Sequence, residues 1–278
     1  MISRLKLFSM IFLLCCLAAS AQAANFSKPA GEIKTGIEAE GACAIVGMSA
    51  EQCQLAALQR ARAAAIEQAA GVSVTSATLV TNLAVAADFI KSYSRGFIVR
   101  EKAAWLPIGQ YQKDSSTVPI PEYRVRINAD VYVPARKVKA AGLKAKINNA
   151  VFRAGEKARI SVDVRKDANI AIFNIMADDR VALVFPNDYE SGNLVFAGKN
   201  FVFPARDARV ELEMQTLAGH RKDAEAFLVV AWDREREIAV RKIFPSADPM
   251  PLDEFFRRLM EIADNCEEVI LPYEVIAQ

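Results

Sequence analysis

The chain reads Arg180-Val-Ala-Leu-Val-Phe-Pro-Asn187 and then Gly192-Asn-Leu-Val-Phe-Ala-Gly-Lys-Asn-Phe-Val-Phe-Pro204, and these runs decide the fold of its second half. An apolar run of strand length ends at Pro186-Asn187, and two shorter apolar runs end at Gly198 and Pro204. Short apolar runs that stop at proline, asparagine or glycine are typical of β-strands joined by tight turns. The second half is therefore predicted to be a β domain.

The same pattern extends outward from this stretch. Seven short strands are predicted at about 143–149, 157–165, 169–176, 180–185, 209–217, 225–232 and 237–244. This number and spacing favour an immunoglobulin-like β-sandwich. A helix is expected from Leu252 to Ile262, and Val269–Ile276 is expected to be a last edge strand, because Pro272 cannot donate a hydrogen bond to a neighbour.

The first half has a mixed pattern. Apolar and polar residues alternate from Ile33 to Ala39, which predicts a strand with one buried face. Ser49 and Gln52 form a capping-box pair at the start of an alanine-rich helix that ends at Gly71. A second helix is predicted at about 78–93 from apolar residues at helical spacing.

Two further strands complete this half, one from Phe97 towards Trp105 and one from Tyr123 to Val133, with a polar loop at 112–117. The order strand, helix, helix, strand, strand predicts helices packed on one face of an antiparallel sheet. The chain is thus expected to be α+β, with an α+β domain at 24–135 and a β-sandwich domain at 143–278.

Residues 136–142 are predicted to be a basic linker between these domains. Five basic and no acidic residues lie between Arg136 and Lys146. A patch for anionic lipid or polysaccharide is one interpretation, and a solvated connection is the expected one.

The amino end has the pattern of a signal peptide at residues 1–23. Arg4 and Lys6 precede an apolar run, and Ala21-Gln22-Ala23 offers small residues for cleavage after Ala23. An uncleaved anchor and a lipoprotein are alternatives, but the run is short for a membrane span and no small residue precedes Cys15 or Cys16. We expect a periplasmic or secreted protein, and association with the outer membrane stays open.

Charge and cysteine content narrow the class of protein. Removal of the signal peptide leaves 33 basic and 33 acidic residues, which gives no reason to expect nucleic acid as a partner. In an oxidising compartment Cys43 and Cys53, ten residues apart, are predicted to form a disulfide. Cys266 is then unpaired, and a small apolar role in the interior is favoured over a reactive thiol.

Catalytic candidates are few. His220 is the only histidine and lies in a basic, turn-like stretch, so an exposed loop histidine is the favoured interpretation. A carboxylate pair or calcium site would require the acidic residues Asp178, Asp179, Asp188 and Glu190 to converge, whereas turn preference accounts for them without a site. The sequence has neither a nucleophile-elbow motif nor a phosphate-binding glycine motif. No catalytic residue, cofactor or metal is expected.

Aromatic residues offer an alternative binding function. A face for a peptide or glycan would use Tyr189, Phe196, Phe201 and Phe203. Strand alternation would instead bury most of these side chains, so their exposure discriminates a binding face from a scaffold.

The second half resembles a known bacterial family. The carrying motifs are Asn149–Glu156, Ala171–Ile175, Val184–Asn187, Asn193–Gly198 and Leu271–Val275. Together they are similar to the bacterial domain of unknown function 4384 over about 143–278, with Asp178-Asp179 at the place of the usual Asp-Gly turn. This resemblance implies an accessory β-domain on an exported or envelope-associated protein.

The first half resembles the amino-terminal domain of flagellar assembly protein T and the related lipoprotein-twenty family. The motifs are Ile37–Gly41, Ala61–Gln68 and Ser92–Ile98. The resemblance implies an envelope protein that assists a surface structure. We therefore expect a non-enzymatic envelope protein that contacts other envelope proteins, with periplasmic ligand binding as the alternative and a hydrolase as a weaker one.

Overall fold

A computed structural model describes residues 30–71, 95–112, 114–135, 141–245 and 248–278. The predicted signal peptide, the second predicted helix and residues 136–140 of the predicted linker lie outside these ranges. The described residues combine helices with mostly antiparallel sheets, which confirms the α+β prediction.

In the described part of the first half, one antiparallel sheet packs under one helix. The sheet runs in the order β1 (Glu32–Ala44), β4 (Ile120–Val133), β2 (Phe97–Trp105), and β3 (Gly109–Tyr111) pairs with the start of β4. The helix α1 (Ala50–Ala70) packs on β1 and β4. Every second residue of β4, from Val125 to Val131, is buried, as its alternation predicts.

The sequence signals at the ends of α1 are confirmed. Gln52 N donates to Ser49 Oγ at 3.2 Å, and Ser49 N donates to Gln52 Oε1 at 3.1 Å, which completes the capping box. Gly71 ends the helix with a φ of 71°, a conformation that glycine adopts without steric cost. The buried face differs from the predicted stripe, because Ala57, Ala61 and Ala65 occupy its centre while Leu55 and Leu58 are half-buried.

A seven-stranded sheet dominates the second half. Its order is β15 (Met250–Pro251), β10 (Arg180–Phe185), β9 (Ala168–Ile175), β14 (Lys222–Asp233), β16 (Cys266–Ile276), β6 (Val151–Arg153), and β11 (Leu194–Val195) also pairs with β9. The β16–β6 pair is parallel and the others are antiparallel.

A smaller sheet packs on one face of this large sheet. It consists of β12 (Phe201–Phe203), β8 (Ile160–Asp163) and β5 (Lys144–Ile147), in that order. β7 (Lys157–Ala158) and β13 (Leu212–Glu213) form a separate two-stranded pair. β7 precedes β8 in the chain, and β13 follows β12. Ile160, Val162 and Phe203 of the small sheet share an apolar core with Ile172 and Val229 of the large one. The predicted face-to-face arrangement of two sheets is therefore present.

The opposite face of the large sheet is also buried, and this joins the two halves. The helix α3 (Leu252–Ala263) places Phe255 5.0 Å from Phe173 of β9, measured between ring centroids. The next residue, Phe256, stacks on Phe97 of β2 at 5.4 Å. One apolar core thus runs from α1 and the first sheet through α3 to β14. Because both of its faces are covered, β14 carries an uninterrupted apolar run from Ala226 to Trp232.

Two carboxylates after α3 hold the chain on either side of residues 136–140. Asp264 accepts hydrogen bonds from Ala135 N at 3.1 Å and from Tyr132 Oη at 2.6 Å. Glu267 accepts hydrogen bonds from the backbone N–H groups of Ala141, Gly142 and Leu143 at 2.6 to 3.0 Å. The end of the first half and the start of the second are therefore bound to the same corner.

Three strand predictions need correction. The region 209–217 contains only the two-residue β13, because Met214 is its one buried residue. The region 237–244 contains a short helix, α2 (Val240–Ile243), whose spacing buries Val240 and Ile243 on one side. β16 is not a simple edge strand, because β14 and β6 lie on either side of it; β6 pairs only with residues 274–276, so Pro272 remains at a position without a second partner.

Candidate functional site

A groove lies where the first turns of α1 meet the start of β14. Its volume is about 240 Å³. Gln52 Nε2 donates to the backbone oxygen of Lys222 at 3.2 Å and ties the two walls together. The lining residues are Glu51, Gln52, Leu55, Ala56, Gln59, Ala177, Asp178, Leu217, His220, Lys222, Asp223 and Ala224.

The approach of α1 to its sheet positions the first wall. Gly41 of β1 faces the backbone of α1, and a Cβ built on it would lie 2.0 Å from the oxygen of Ala57. Only glycine permits that distance. The capped end of α1, with Leu55 and Ala56 on its inner side, is thereby held against the second half of the chain.

His220 and Asp223 form a pair on the second wall. His220 Nδ1 lies 2.6 Å from Asp223 Oδ1, and Leu217 N donates to Asp223 Oδ2 at 2.6 Å. Asp223 is buried, whereas 21% of the His220 side chain is exposed. The carboxylate favours the tautomer that has its proton on Nδ1, so the other ring nitrogen is free to accept a hydrogen bond. His220 lies in a loop, as predicted, but it is only partly exposed, because the turn at Leu217–His220 brings the ring against Asp223 at the start of β14.

A buried polar cluster lies directly behind the groove. Tyr273 Oη is 2.5 Å from Glu225 Oε2 and 2.7 Å from Asn174 Oδ1. Ala177 N, at the floor of the groove, donates to Glu225 Oε1 at 3.3 Å. Burial raises the pKa of Glu225 despite these hydrogen bonds, and burial with the nearby carboxyl raises the pKa of Tyr273.

The charged groups of the groove differ in whether another charge already neutralises them. Lys222 Nζ lies 2.5 Å from Glu274 Oε1, so this cation is neutralised by its own sheet. Asp178 accepts a hydrogen bond from Arg180 N at 3.2 Å, and Glu51 lies in the first turn of α1. Glu51 and Asp178 leave the rim of the groove acidic.

The four acidic residues proposed from the sequence do not converge. Asp178 is at the groove, while Asp179 pairs with Arg62 at 2.5 Å and Asp188 pairs with Arg241. Glu190 follows a turn in which its N–H donates to Asn187. Within the described ranges, no group of three or more potential ligand side chains is arranged to hold a metal ion.

The predicted Cys43–Cys53 disulfide is not formed, and both residues are free thiols. Cys53 Sγ donates to the backbone oxygen of Cys43 at 2.9 Å, while Cys43 Sγ is directed to Ala44 O and Met48 Sδ. The two thiols are neighbours, but each sulfur also has a backbone or thioether partner and no bond joins them. Cys266 is a buried thiol in the core that contains α3, as expected from its sequence context.

The four aromatic residues of the alternative binding face are divided. Tyr189 and Phe196 are 70% and 53% exposed. Phe203 is completely buried and Phe201 is partly buried, because both rings pack on Phe185 at about 5 Å between centroids. A binding face made of all four is therefore wrong, and only Tyr189 and Phe196 are mostly exposed.

Sequence reasoning overlooked Asp223, Glu225 and Tyr273. The three-residue spacing of His220 and Asp223 could have predicted their contact, because a tight turn brings such residues together. Glu225, directly before the apolar run Ala226–Trp232, was a second signal, because a charge in a buried strand requires partners. Tyr273 gave none, since its partner strands are distant in sequence.

Comparison with known proteins finds a similarity to a family for one segment of the chain. Residues 151–224 match the model of a family described as a Domain of unknown function (DUF4384). This confirms the predicted resemblance of the second half over a shorter range, whereas the resemblance of the first half stays a prediction. No curated protein matches the chain. Of the helices in the described residues, none is long and apolar enough to cross a membrane.

Proposed function

We propose that the protein is an exported, non-enzymatic component of the bacterial cell envelope that binds another protein through the groove between α1 and β14. The observation that carries this proposal is the composition of the groove. Its lining includes the apolar residues Leu55, Ala56, Leu217 and Ala224, which are buried or partly buried, and the acidic residues Glu51 and Asp178, which are exposed. An apolar centre inside a polar rim is the usual anatomy of a protein interface.

The size of the groove favours a protein partner over a small molecule. At about 240 Å³ it is smaller than typical small-molecule pockets of about 300–1,000 Å³. It has room for an anchoring side chain of a partner, and interfaces concentrate their binding energy in such anchors. The acidic rim favours a segment that carries a basic residue beside its apolar anchor.

The walls of the groove are rigid, which suits recognition. α1 is capped at both ends and packed without space on Gly41, and β14 is hydrogen-bonded on both sides. A preformed site avoids the entropy cost of ordering its walls on binding. Export is supported by the charged and apolar amino end with its Ala21-Gln22-Ala23 site.

Site-specific photocrosslinking in the cell of origin tests this function. A photoreactive phenylalanine at Leu217 is expected to capture a partner, and the same residue at Ile33, which is 47% exposed on β1, serves as control. Leu55→Glu should abolish the capture because it places a charge on the apolar floor. Equal capture from positions 33 and 217, or capture that survives Leu55→Glu, would contradict the proposal.

A second candidate function is ligand binding by Tyr189 and Phe196. Both rings are more than half exposed, and exposed aromatic rings are common platforms for glycans and peptides. Loss of partner capture in Tyr189→Ala with Phe196→Ala, and not in Leu55→Glu, would favour this function over the groove. A hydrolytic activity that His220→Ala removes without a change in melting temperature would overturn both.

A further inference from the structure

A second cavity lies on the outer face of the small sheet. Its volume is about 510 Å³, and its lining comes from β5, β8 and the loops around β12. In the strand register Lys146 faces Ser161, and Ser161 faces Val202, so these three side chains form one row across the sheet. Arg159 lies two residues before Ser161 on the same face.

The charge of this cavity is not balanced. Lys146, Arg159 and Arg206 line it, and none of its lining residues is acidic. Within the described residues, these three cations make no ion pair, and all three are exposed. Asp163 on the same sheet is opposite Lys144 in the register and outside the lining. In a chain whose predicted mature charge is near zero, this is a local excess of three positive charges.

Neutral hydrogen-bonding groups accompany the cations. Asn148 Oδ1 accepts a hydrogen bond from Arg159 N at 2.8 Å, and Asn148 Nδ2 donates to Lys157 O at 3.1 Å, so the backbone at Arg159 is held in place. The hydroxyl of Ser161 and the amide of Asn200 also line the cavity. The site therefore presents two guanidinium forks, an ammonium group and neutral donors around one concave surface.

We propose that this cavity binds a phosphate group. A phosphate monoester carries a charge of about −1.5 to −2 and three strong acceptor oxygens. Guanidinium groups match such oxygens in pairs, and an ammonium group adds a point charge. The cavity offers more hydrogen-bond donors than the two oxygens of one carboxylate can accept. The same chemistry occurs in lipid headgroups and in soluble phosphate compounds, and the two sources are separated by experiment.

This inference does not depend on the groove. The two cavities share no lining residue and lie on different elements. Lys146 is also the last basic residue of the run 136–146, so the sheet continues the basic stretch noted in the sequence.

Calorimetric titration of the purified protein with pyrophosphate, together with sedimentation with vesicles, tests the proposal. The site variant is Arg159→Gln with Arg206→Gln, and the matched control is Arg221→Gln with Arg236→Gln, two exposed arginines outside both cavities. We expect the site variant to weaken binding at least ten-fold and the control to change it less than two-fold. Circular dichroism and melting temperature check that both variants are folded.

The two measurements distinguish a soluble phosphate compound from a lipid headgroup. Binding to pyrophosphate in solution points to a soluble phosphate compound. Sedimentation with vesicles that contain phosphatidic acid, whose headgroup is a phosphate monoester, and not with phosphatidylcholine vesicles, points to a lipid headgroup. The absence of binding to both probes, or an equal loss in the site and control variants, would overturn the proposal.

Discussion

Gly41 and Ala57 are packed so closely that a Cβ on residue 41 would lie 2.0 Å from the Ala57 carbonyl oxygen and 2.5 Å from Ala61 N. Both atoms belong to the backbone of α1 and cannot rotate away. We expect Gly41→Ala to lower the free energy of unfolding by about 1–3 kcal/mol or more, because the helix must move off its sheet. Urea denaturation measures this change.

Gly192→Ala is the matched control, because a Cβ at that position meets nothing within 4 Å. The control is expected to leave stability nearly unchanged. Equal stability of the two variants would show that α1 does not lie against Gly41 in solution.

The second prediction concerns Asp264. Its carboxylate accepts hydrogen bonds from Ala30 N, Gly31 N, Tyr132 Oη and Ala135 N. Burial and the bond to Asp264 raise the pKa of Tyr132, so its hydroxyl stays a donor. Asp264→Ala removes the acceptor of Ala30 N, Tyr132 Oη and Ala135 N, while Gly31 N keeps Tyr132 Oη as an acceptor, and should lower the free energy of unfolding by about 2 kcal/mol. Glu261→Ala is the control, because Glu261 is an exposed residue in the last turn of α3, just before Asp264. If both variants melt at the same temperature, the corner does not hold the two halves together.

The third prediction concerns pH and Glu225. Burial raises its pKa above the ordinary value of 4.5, so the folded state binds this proton more tightly than the unfolded state. The contribution to stability is complete below pH 4.5 and is lost as pH rises through the raised pKa. Glu225→Gln should remove this loss and make the protein relatively more stable at neutral pH. Chemical denaturation from pH 4 to pH 8 follows the change, with the exposed Glu235→Gln as control. Parallel curves for Glu225→Gln and the unchanged protein would contradict it.

The fourth prediction concerns thiol reactivity. Burial, with the neighbouring Cys43 thiol, raises the pKa of Cys53 to about 12. Since the thiolate is the reactive form, alkylation of Cys53 at pH 8 should be on the order of 1,000-fold slower than that of a free cysteine, which has a pKa near 8.5. Mass spectrometry after iodoacetamide treatment of folded and guanidinium-unfolded protein measures this difference. Rapid labelling of the folded protein, or a peptide that links Cys43 to Cys53, would contradict the free, buried thiol.

Local signals were read correctly where one segment contains all of its partners. The capping box of Ser49 and Gln52, the end of α1 at Gly71 and the alternation of β4 depend on residues close in sequence. The region 237–244, which was predicted to be a strand, shows the limit. Val240 and Ile243 fit a short helix as well as a strand, and only their burial against the core that contains α3 selects the helix.

In the candidate sites, too, contacts between residues close in sequence were predictable, whereas contacts between distant segments were not. His220 and Asp223 are three residues apart, so their meeting is a local event, yet its position beside α1 depends on contacts across 170 positions, as between Gln52 and Lys222. The pairing of Tyr273 with Glu225 likewise requires β14 and β16 to be neighbours.

By itself, the sequence determined the α+β class, the ends of α1, most of the strands and the resemblance of a segment of the second half, residues 151–224, to a domain of unknown function. Period, caps and turns are properties of short segments, and each is decided within a few residues. Only the tertiary structure decided that the two halves share one core, that Gly41 lies against Ala57, and that the groove and the basic cavity exist. These features depend on which segments, distant in sequence, pack against each other and bury their apolar surfaces. That pairing is a property of the packing of the whole chain.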